Sequence, residues 1–425
     1  MHMRVRDVLA DEIPYPDDLS PLTINEPFDI GWSEDGKLCL IHFREIRLLI
    51  IGETGAGKTN LLNVIIAQLS RCVDVIIFGI DLKGGRLLAP WLKPWINKQT
   101  NRPVIDWPAT DRAEAQRLLQ ALIRVIDARS RGFAGKNAKI KPNNKQQTYV
   151  VVCDEIAELF TTDEPRAYRE EFMPDQPSPN SLAWLATRVT NKGRSEAVDA
   201  IWAGQRATAS HVPSNIKSQC KLRIGLGTTT VAEATNLAPD DATATKIMAL
   251  LQHPGTGVVW RKEKRPTADK FYKLEDPERI AQIAAHVGEF IRPEPNDFDR
   301  AALGEDYASR WQRLAPLLQE WSDMAPTAPG QVGGGAFEQI VAQLPDMTAG
   351  LKPWQMRTLE IVGEARSVGI RPGMIADKLK REGMGVERET VSRWLRTQAN
   401  EGFVESLSHG RWRIVRLDRR TGTDG

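Results

Sequence analysis

Gly52-Glu53-Thr54-Gly55-Ala56-Gly57-Lys58-Thr59 follows an apolar run, Arg47 to Ile51, and opens a helical period from Thr59 to Leu69. The spacing is that of a phosphate-binding loop, and a strand before it with a helix after it is the context that loop requires. Gly55 and Gly57 let the backbone wrap so that N–H groups point inward, while the helix presents its positive end to an anion. Lys58 is then set to bridge the β- and γ-phosphates of ATP, and the Thr59 hydroxyl to bind Mg²⁺. The expected nucleotide-binding set is Gly52, Glu53, Thr54, Gly55, Ala56, Gly57, Lys58, Thr59 and Asn60.

Further along, Tyr149-Val150-Val151-Val152-Cys153 is an apolar strand that ends in Asp154-Glu155. A parallel strand delivers its last residues to the ligand edge of the sheet, where a phosphate loop also lies. Asp154 is expected to hold Mg²⁺, and Glu155 to orient and deprotonate the attacking water.

Apolar runs recur at Val73 to Ile80, Ala200 to Ala203 and Lys221 to Leu226, and helical periods at Arg112 to Arg129 and Ser181 to Asn191 lie between them. Continuous Val/Ile/Leu runs fit strands covered on both faces, and their alternation with helices predicts a three-layer α/β domain with a mainly parallel sheet. The 425 residues exceed one ordinary core, at roughly 150 residues per domain. A hydrophobic share of 41% with 26% charged residues excludes disorder and collagen-like classes. Lys and Arg total 57 against 55 Asp and Glu, so a nucleic-acid footprint has to be local. Cys39, Cys72, Cys153 and Cys220 form no Cys-x-x-Cys pair, which speaks for reduced buried thiols rather than disulfides or zinc. No run reaches the about 18 to 20 apolar residues of a membrane helix, so the expectation is a cytoplasmic protein. Any membrane anchor, holding it at the inner face of the cell membrane, falls outside this stretch.

Several segments in fixed order resemble the FtsK/SpoIIIE translocases. They are Ile80-Asp81-Leu82-Lys83-Gly84-Gly85, the helix end Asp127-Ala128-Arg129-Ser130-Arg131, Gly193-Arg194, Ile201-Trp202-Ala203-Gly204-Gln205-Arg206, Asn215-Ile216-Lys217 with Arg223-Ile224, and Pro254-Gly255-Thr256-Gly257. The resemblance covers about Asp29 to Trp260, and its character is that of the TraB-like conjugative translocases of actinomycetes. Gly204 stands where the family has Thr, and Ala207 where it has Pro. The resemblance implies a RecA-like P-loop ATPase core in a hexameric ring around double-stranded DNA, serving plasmid conjugation or chromosome transfer. It also implies ATP at subunit interfaces, Gln205 as γ-phosphate sensor, and a neighbour's arginine completing the site, with Arg194 and Arg223 the preferred candidates and Arg206 a third.

Ala325 to Ala336, APTAPGQVGGGA, has the composition of a flexible tether. After it come three helical patterns, Trp354 to Ala365, Pro372 to Lys380 and Arg388 to Asn400, and a hairpin over Gly402 to Ile414, which is winged helix-turn-helix order. Ile375, Leu379, Val391, Leu395 and Phe403 are its expected core. Arg388, Thr390, Ser392, Arg393 and Arg396 on the third helix are expected to approach a major groove, with Arg411 and Arg413 reaching phosphates or the minor groove. The expected organisation is an arm over 1–37, the motor over 38–275, a helical and linker segment over 276–349, and the winged helix over 350–418. Competing functions are a nucleotide-switched DNA-binding regulator or replication factor and a type VII-like protein-export ATPase.

Overall fold

The structure, a computed structural model, describes residues 8–133, 139–160, 181–205, 212–227, 234, 241–251, 255–261, 267–323, 352–364, 370, 372–381, 384–400, 404–407 and 411–414. Arg206, Ala207, Pro254, Phe403 and the tether of residues 325–336 lie outside the described residues. The chain divides into two compact units, residues 1–325 and 326–425.

The first unit is built on strands β1 (Phe28–Ser33), β2 (Leu38–Ile41), β3 (Arg47–Gly52), β4 (Val75–Ile80), β5 (Ile105–Ala109), β6 (Thr148–Cys153), β7 (Val198–Gly204), β8 (Leu222–Leu226), β9 (Thr256–Arg261) and β10 (Ala268–Phe271). They form one sheet in the order β2-β1-β10-β9-β8-β3-β7-β6-β4-β5. From β8 to β5 neighbouring strands are parallel, whereas β9, β10, β1 and β2 extend the sheet by antiparallel pairing. Every residue of β3, β4, β6 and β7 is buried, as strands covered on both faces must be. The mixed α/β fold expected from strand and helix alternation is therefore present.

Helices of this unit are α1 (Lys58–Ser70), α2 (Ala89–Ile96), α3 (Arg112–Gly132), α4 (Ala157–Phe160), α5 (Leu182–Lys192), α6 (Ser214–Gln219), α7 (Asp241–Leu250), α8 (Pro277–Phe290), α9 (Asp297–Ala308), α10 (Arg310–Arg313) and α11 (Ala315–Asp323). Side-chain caps set several starts. Asp111 accepts from the Glu114 N–H, Ser181 from Trp184, Asp276 from Glu278 and Asn296 from Asp299.

Two parts of the sequence reading need correction. Within the arm, Phe28–Ser33 is a strand that pairs with β10 and β2, and Leu19 and Ile24 upstream are buried. Thr23 and Asn25 bind the Asp74 carboxylate, while Leu22 exchanges backbone hydrogen bonds across Arg71 and Val73. The segment from Pro277 to Asp323 is helical as expected but, though set apart from the motor in the expected organisation, it packs on it: α8 lies against α2, and α9 against α3. Polar anchors fix it, with Tyr307 donating to the Asp106 carboxylate at 2.7 Å and Arg313 to Glu114 at 2.7 Å.

The second unit contains α12 (Pro353–Glu364), α13 (Pro372–Arg381), α14 (Arg388–Asn400), β11 (Val404–Leu407) and β12 (Arg411–Ile414). β11 and β12 pair antiparallel, and Ile370 and Trp412 exchange both backbone hydrogen bonds at 2.9 Å. Ile361, Val362, Ile370, Ile375, Leu379, Val391, Leu395 and Trp412 form its core, so the four described members of the expected core are buried. Trp394 is half-buried, edge-on to Trp354 at 5.6 Å.

Candidate nucleotide site

The parallel strands bring Gly52, Asp81, Asp154 and Gln205 to one edge of the sheet, each at or just beyond a strand's C-terminal end. β7 runs between β3 and β6, pairing Ile51 with Gly204 on one side and Cys153 with Trp202 on the other. Gln205 thus stands between the phosphate loop and the acidic pair.

The loop has the backbone its glycines were expected to give. Gly55 and Gly57 have φ of 83° and 92°, left-handed values that favour glycine. Gly57 is also the N-cap of α1, and α1 has no side-chain cap, unlike α3, α5, α8 and α9. The first-turn N–H groups of α1 are therefore not shielded by a capping side chain. Gly52 lies so close to Leu226 that a Cβ would meet its carbonyl oxygen at 2.7 Å, and one on Gly57 would reach the Cα of Gly255 at 3.7 Å. Gly255, just before β9, therefore lies beside the loop.

Lys58 reaches back to the Gly52 carbonyl oxygen at 3.3 Å. Burial lowers its pKa, opposed by the carboxylates of Glu155 and Asp154. Thr59 is exposed. Burial, reinforced by the Asp81 carboxylate, pushes Asp154 up to about 6, and its buried Oδ1 has no hydrogen-bond partner. An orphaned carboxylate oxygen beside a second acid fits a hard divalent cation, which would supply the missing charge. Glu155 is 7% exposed; its Oε1 accepts the Gln205 N–H at 3.3 Å, and its Oε2 lies 3.1 Å from Lys83 Nζ.

Not every expected residue joins this cluster. The Asn60 side chain is taken up elsewhere, donating to the Tyr272 carbonyl at 2.8 Å and accepting from the Leu274 N–H at 2.6 Å. That clasp ties α1 to the end of β10 and removes the Asn60 amide from the nucleotide set. Arg194 and Arg223 both lie at the N-terminal edge of the sheet, ahead of β7 and near the start of β8. Arg194 is half-exposed, with Glu45 at 3.7 Å. Arg223 donates to the carbonyls of Lys217 at 2.8 Å and Cys220 at 3.1 Å and covers the Trp260 ring. Sequence reasoning gave no role to Lys83. Its place in the Asp81-Leu82-Lys83 stretch after β4 was the available signal.

All four cysteines are free and buried. Among the described residues no helix is long and apolar enough to cross a membrane.

No family model matches the chain. The DNA translocase FtsK of Leptospira interrogans, in two strains of serogroup Icterohaemorrhagiae, is 27% identical over 295 residues, 64% of this chain and 27% of that protein. This chain is similar to FtsK-type DNA translocases. The FtsK-like chain spans about a quarter of the length of the curated relatives it matches. Similar solved structures include the pCW3 conjugation coupling protein TcpA with ATPγS, at TM-score 0.48 and 16% identity over 65% of this chain and 75% of that one. Another is EssC (ATPases 2 and 3) from Geobacillus thermodenitrificans, at TM-score 0.49 and 14% identity over 67% and 53%. A third is the cytoplasmic domain of the type VII secretion ATPase EccC from Thermomonospora curvata, at 0.47 and 20% over 68% and 33%.

Proposed function

We propose that this FtsK-like chain is a subunit of an ATP-hydrolysing motor that moves double-stranded DNA, as plasmid or chromosome transfer requires. The observation that carries the reading is the convergence of Lys58, Asp154, Glu155 and Gln205 on one sheet edge around an uncapped helix start. Lys58 and the loop N–H groups bind the phosphates. Thr59 and Asp154 are the residues that would hold Mg²⁺, which when bound neutralises phosphate charge. Glu155 takes the proton of the attacking water, and Gln205, whose backbone bonds Glu155, reports the state of the γ-phosphate.

A ring of copies, six by resemblance, would bring an arginine from the neighbouring subunit to each site. Arg194 is favoured over Arg223, because Arg223 is held by two carbonyls of its own chain. The second unit reads as a winged helix, supported by its helix order, its hairpin and the exposure of Arg388, Thr390, Arg393 and Arg396 on α14, with Ser392 half-buried beside them. Arg411 and Arg413 of β12 lie in register with Leu407 and Glu405 of β11, as wing residues would.

The test is the ATP turnover rate with and without duplex DNA across a range of protein concentrations. Severalfold stimulation by duplex, with turnover rising faster than linearly in protein, supports a DNA motor with shared sites. Turnover indifferent to DNA removes the motor reading in favour of a nucleotide switch or a protein-export ATPase.

A further inference from the structure

The ammonium of Lys83 is a second lysine at the phosphate end of the sheet, in a position the phosphate-loop and acidic-strand patterns do not account for. The turn that presents it is built by Asp81. One oxygen of that carboxylate accepts the Lys83 N–H at 3.0 Å and the other the Leu87 N–H at 2.9 Å, while the Asp81 N–H bonds the Ala109 carbonyl at 2.9 Å. Asp81 itself is 2% exposed, so the turn is anchored below the surface. From it the Lys83 side chain, 40% exposed, reaches Glu155, whose side chain is only 6% exposed.

The two oxygens of Glu155 are thereby shared between two loops, Oε2 with Lys83 and Oε1 with the backbone of Gln205. Each carboxylate oxygen offers two acceptor positions. The clamp fixes the plane of the carboxylate and still leaves it lone pairs with which to take a proton. Lys58 is hydrogen-bonded to the Gly52 carbonyl and makes no ion pair with Glu155 among the described residues, so it does not duplicate the contact. A nearly buried carboxylate that loses its charged partner is free to rotate toward Lys58 or out to solvent, and a base off its line by one rotamer loses its reach to the water.

We propose that Lys83 is a positioning residue for Glu155, holding the general base in its productive orientation through the Lys83–Glu155 ion pair. The inference rests on Glu155 acting as the base. Lys83 acts through Glu155 and not on the nucleotide, so its removal belongs in the turnover number.

The experiment compares the 425-residue wild-type chain with Lys83→Met, Lys83→Arg, Glu155→Gln and the Lys83→Met/Glu155→Gln double variant. The readouts are kcat and KM for ATP, the Kd of a fluorescent ATP analogue, and the thermal midpoint. Expected is a kcat loss of about tenfold or more in Lys83→Met, a fraction of the roughly 10²- to 10⁴-fold a general base contributes. KM and Kd should move less than about threefold, because ground-state binding is untouched. Lys83→Arg should recover most of the rate by restoring a cation to Glu155. The double variant should be no slower than Glu155→Gln alone. Three results overturn the proposal: wild-type or faster turnover in Lys83→Met, a rate loss accompanied by equal loss of analogue binding, or a double variant slower than Glu155→Gln. Wild-type turnover retained in Glu155→Gln would instead remove the base assignment of the preceding section, and the positioning role with it.

Discussion

Arg129 and Asp299 meet as a two-point fork, Nη2 to Oδ2 at 2.6 Å and Nε to Oδ1 at 2.9 Å, with neither side chain exposed. The remaining guanidinium donors reach the carbonyls of Glu196 and Gln147, so one arginine on α3 joins α9 to the segments leading into β7 and β6. Breaking such a pair from one side leaves a buried, unpaired charge, which costs about 3–5 kcal/mol. Asp299→Ala should therefore lower the denaturant midpoint of the first unit by that equivalent. A change below about 1 kcal/mol would mean that α9 is only loosely attached to the rest. By the same reasoning, a chain ended at Leu274 would expose the faces of α2 and α3 and should aggregate.

Asp199 supplies a pH test. It is buried beside Arg47, with Glu45 and Arg194 also in its field, and burial lifts its carboxyl from an ordinary 3.8 to about 7. Between those values the folded chain holds a proton that the unfolded chain has lost. Stability should thus be greatest at the acid end of that window, fall as pH rises from about 4 to 7, and level off above. Asp199→Asn should flatten the slope, because the amide does not titrate while its oxygen can still accept the Glu45 N–H. Denaturant titrations at pH 5 and 8 measure it; an unchanged slope in the variant would show that Asp199 does not carry the effect.

Arg194 and Arg223 should separate cleanly when each is changed to Ala. Loss of a transition-state arginine costs about 10³-fold or more in turnover, and Arg194→Ala should show that loss at an unchanged thermal midpoint. Arg223→Ala should keep its turnover within about an order of magnitude and lose about 1–3 kcal/mol of stability, since the Lys217 and Cys220 carbonyls lose their donors. Full turnover by Arg194→Ala at high protein concentration would take that residue out of the site.

A fragment of residues 350–425 contains the whole described core of the second unit and should bind duplex DNA by itself. Arg393→Ala or Arg396→Ala should cost about 1–3 kcal/mol at a preferred sequence if the side chain reads a base. A phosphate contact would instead weaken all sequences alike and reduce the salt slope by about one. No binding at about 50 mM salt, where even non-specific contacts register, would make this unit a protein-docking module.

Much of the candidate site was legible because its residues are neighbours in the chain. Gly55, Gly57, Lys58 and Thr59 fall within a single turn, and Asp154-Glu155 follows the run Val150-Val151-Val152-Cys153. What escaped depends on residues far apart in the chain. Arg129 reads as part of a helix end that carries the resemblance, but its partner Asp299 lies 170 positions on. β1 is six residues without a regular alternation, FDIGWS, whose strand character comes from β10, far downstream. Asn60 reads as a continuation of the phosphate loop, yet its amide is claimed by backbone groups over 200 positions away. Lys83 was visible as a residue but not as a partner, since the crossover from β4 to β6 is what sets it against Glu155.

The close approach of Gly57 and Gly255 also limits where this chain can change length. Gly255 leads into β9, the first antiparallel strand, and Gly57 opens α1 after the parallel strand β3, so the phosphate loop lies where the two parts of the sheet meet. At the β1–β2 turn, a Cβ on Gly36 would meet nothing within 4 Å, and inserted residues there can bulge into solvent. An inserted residue next to Gly255 would press on its neighbours there, Gly57 of the phosphate loop and the Lys270 side chain. Loop-grafting experiments should accordingly find the start of β9 less forgiving of added chain than the β1–β2 turn.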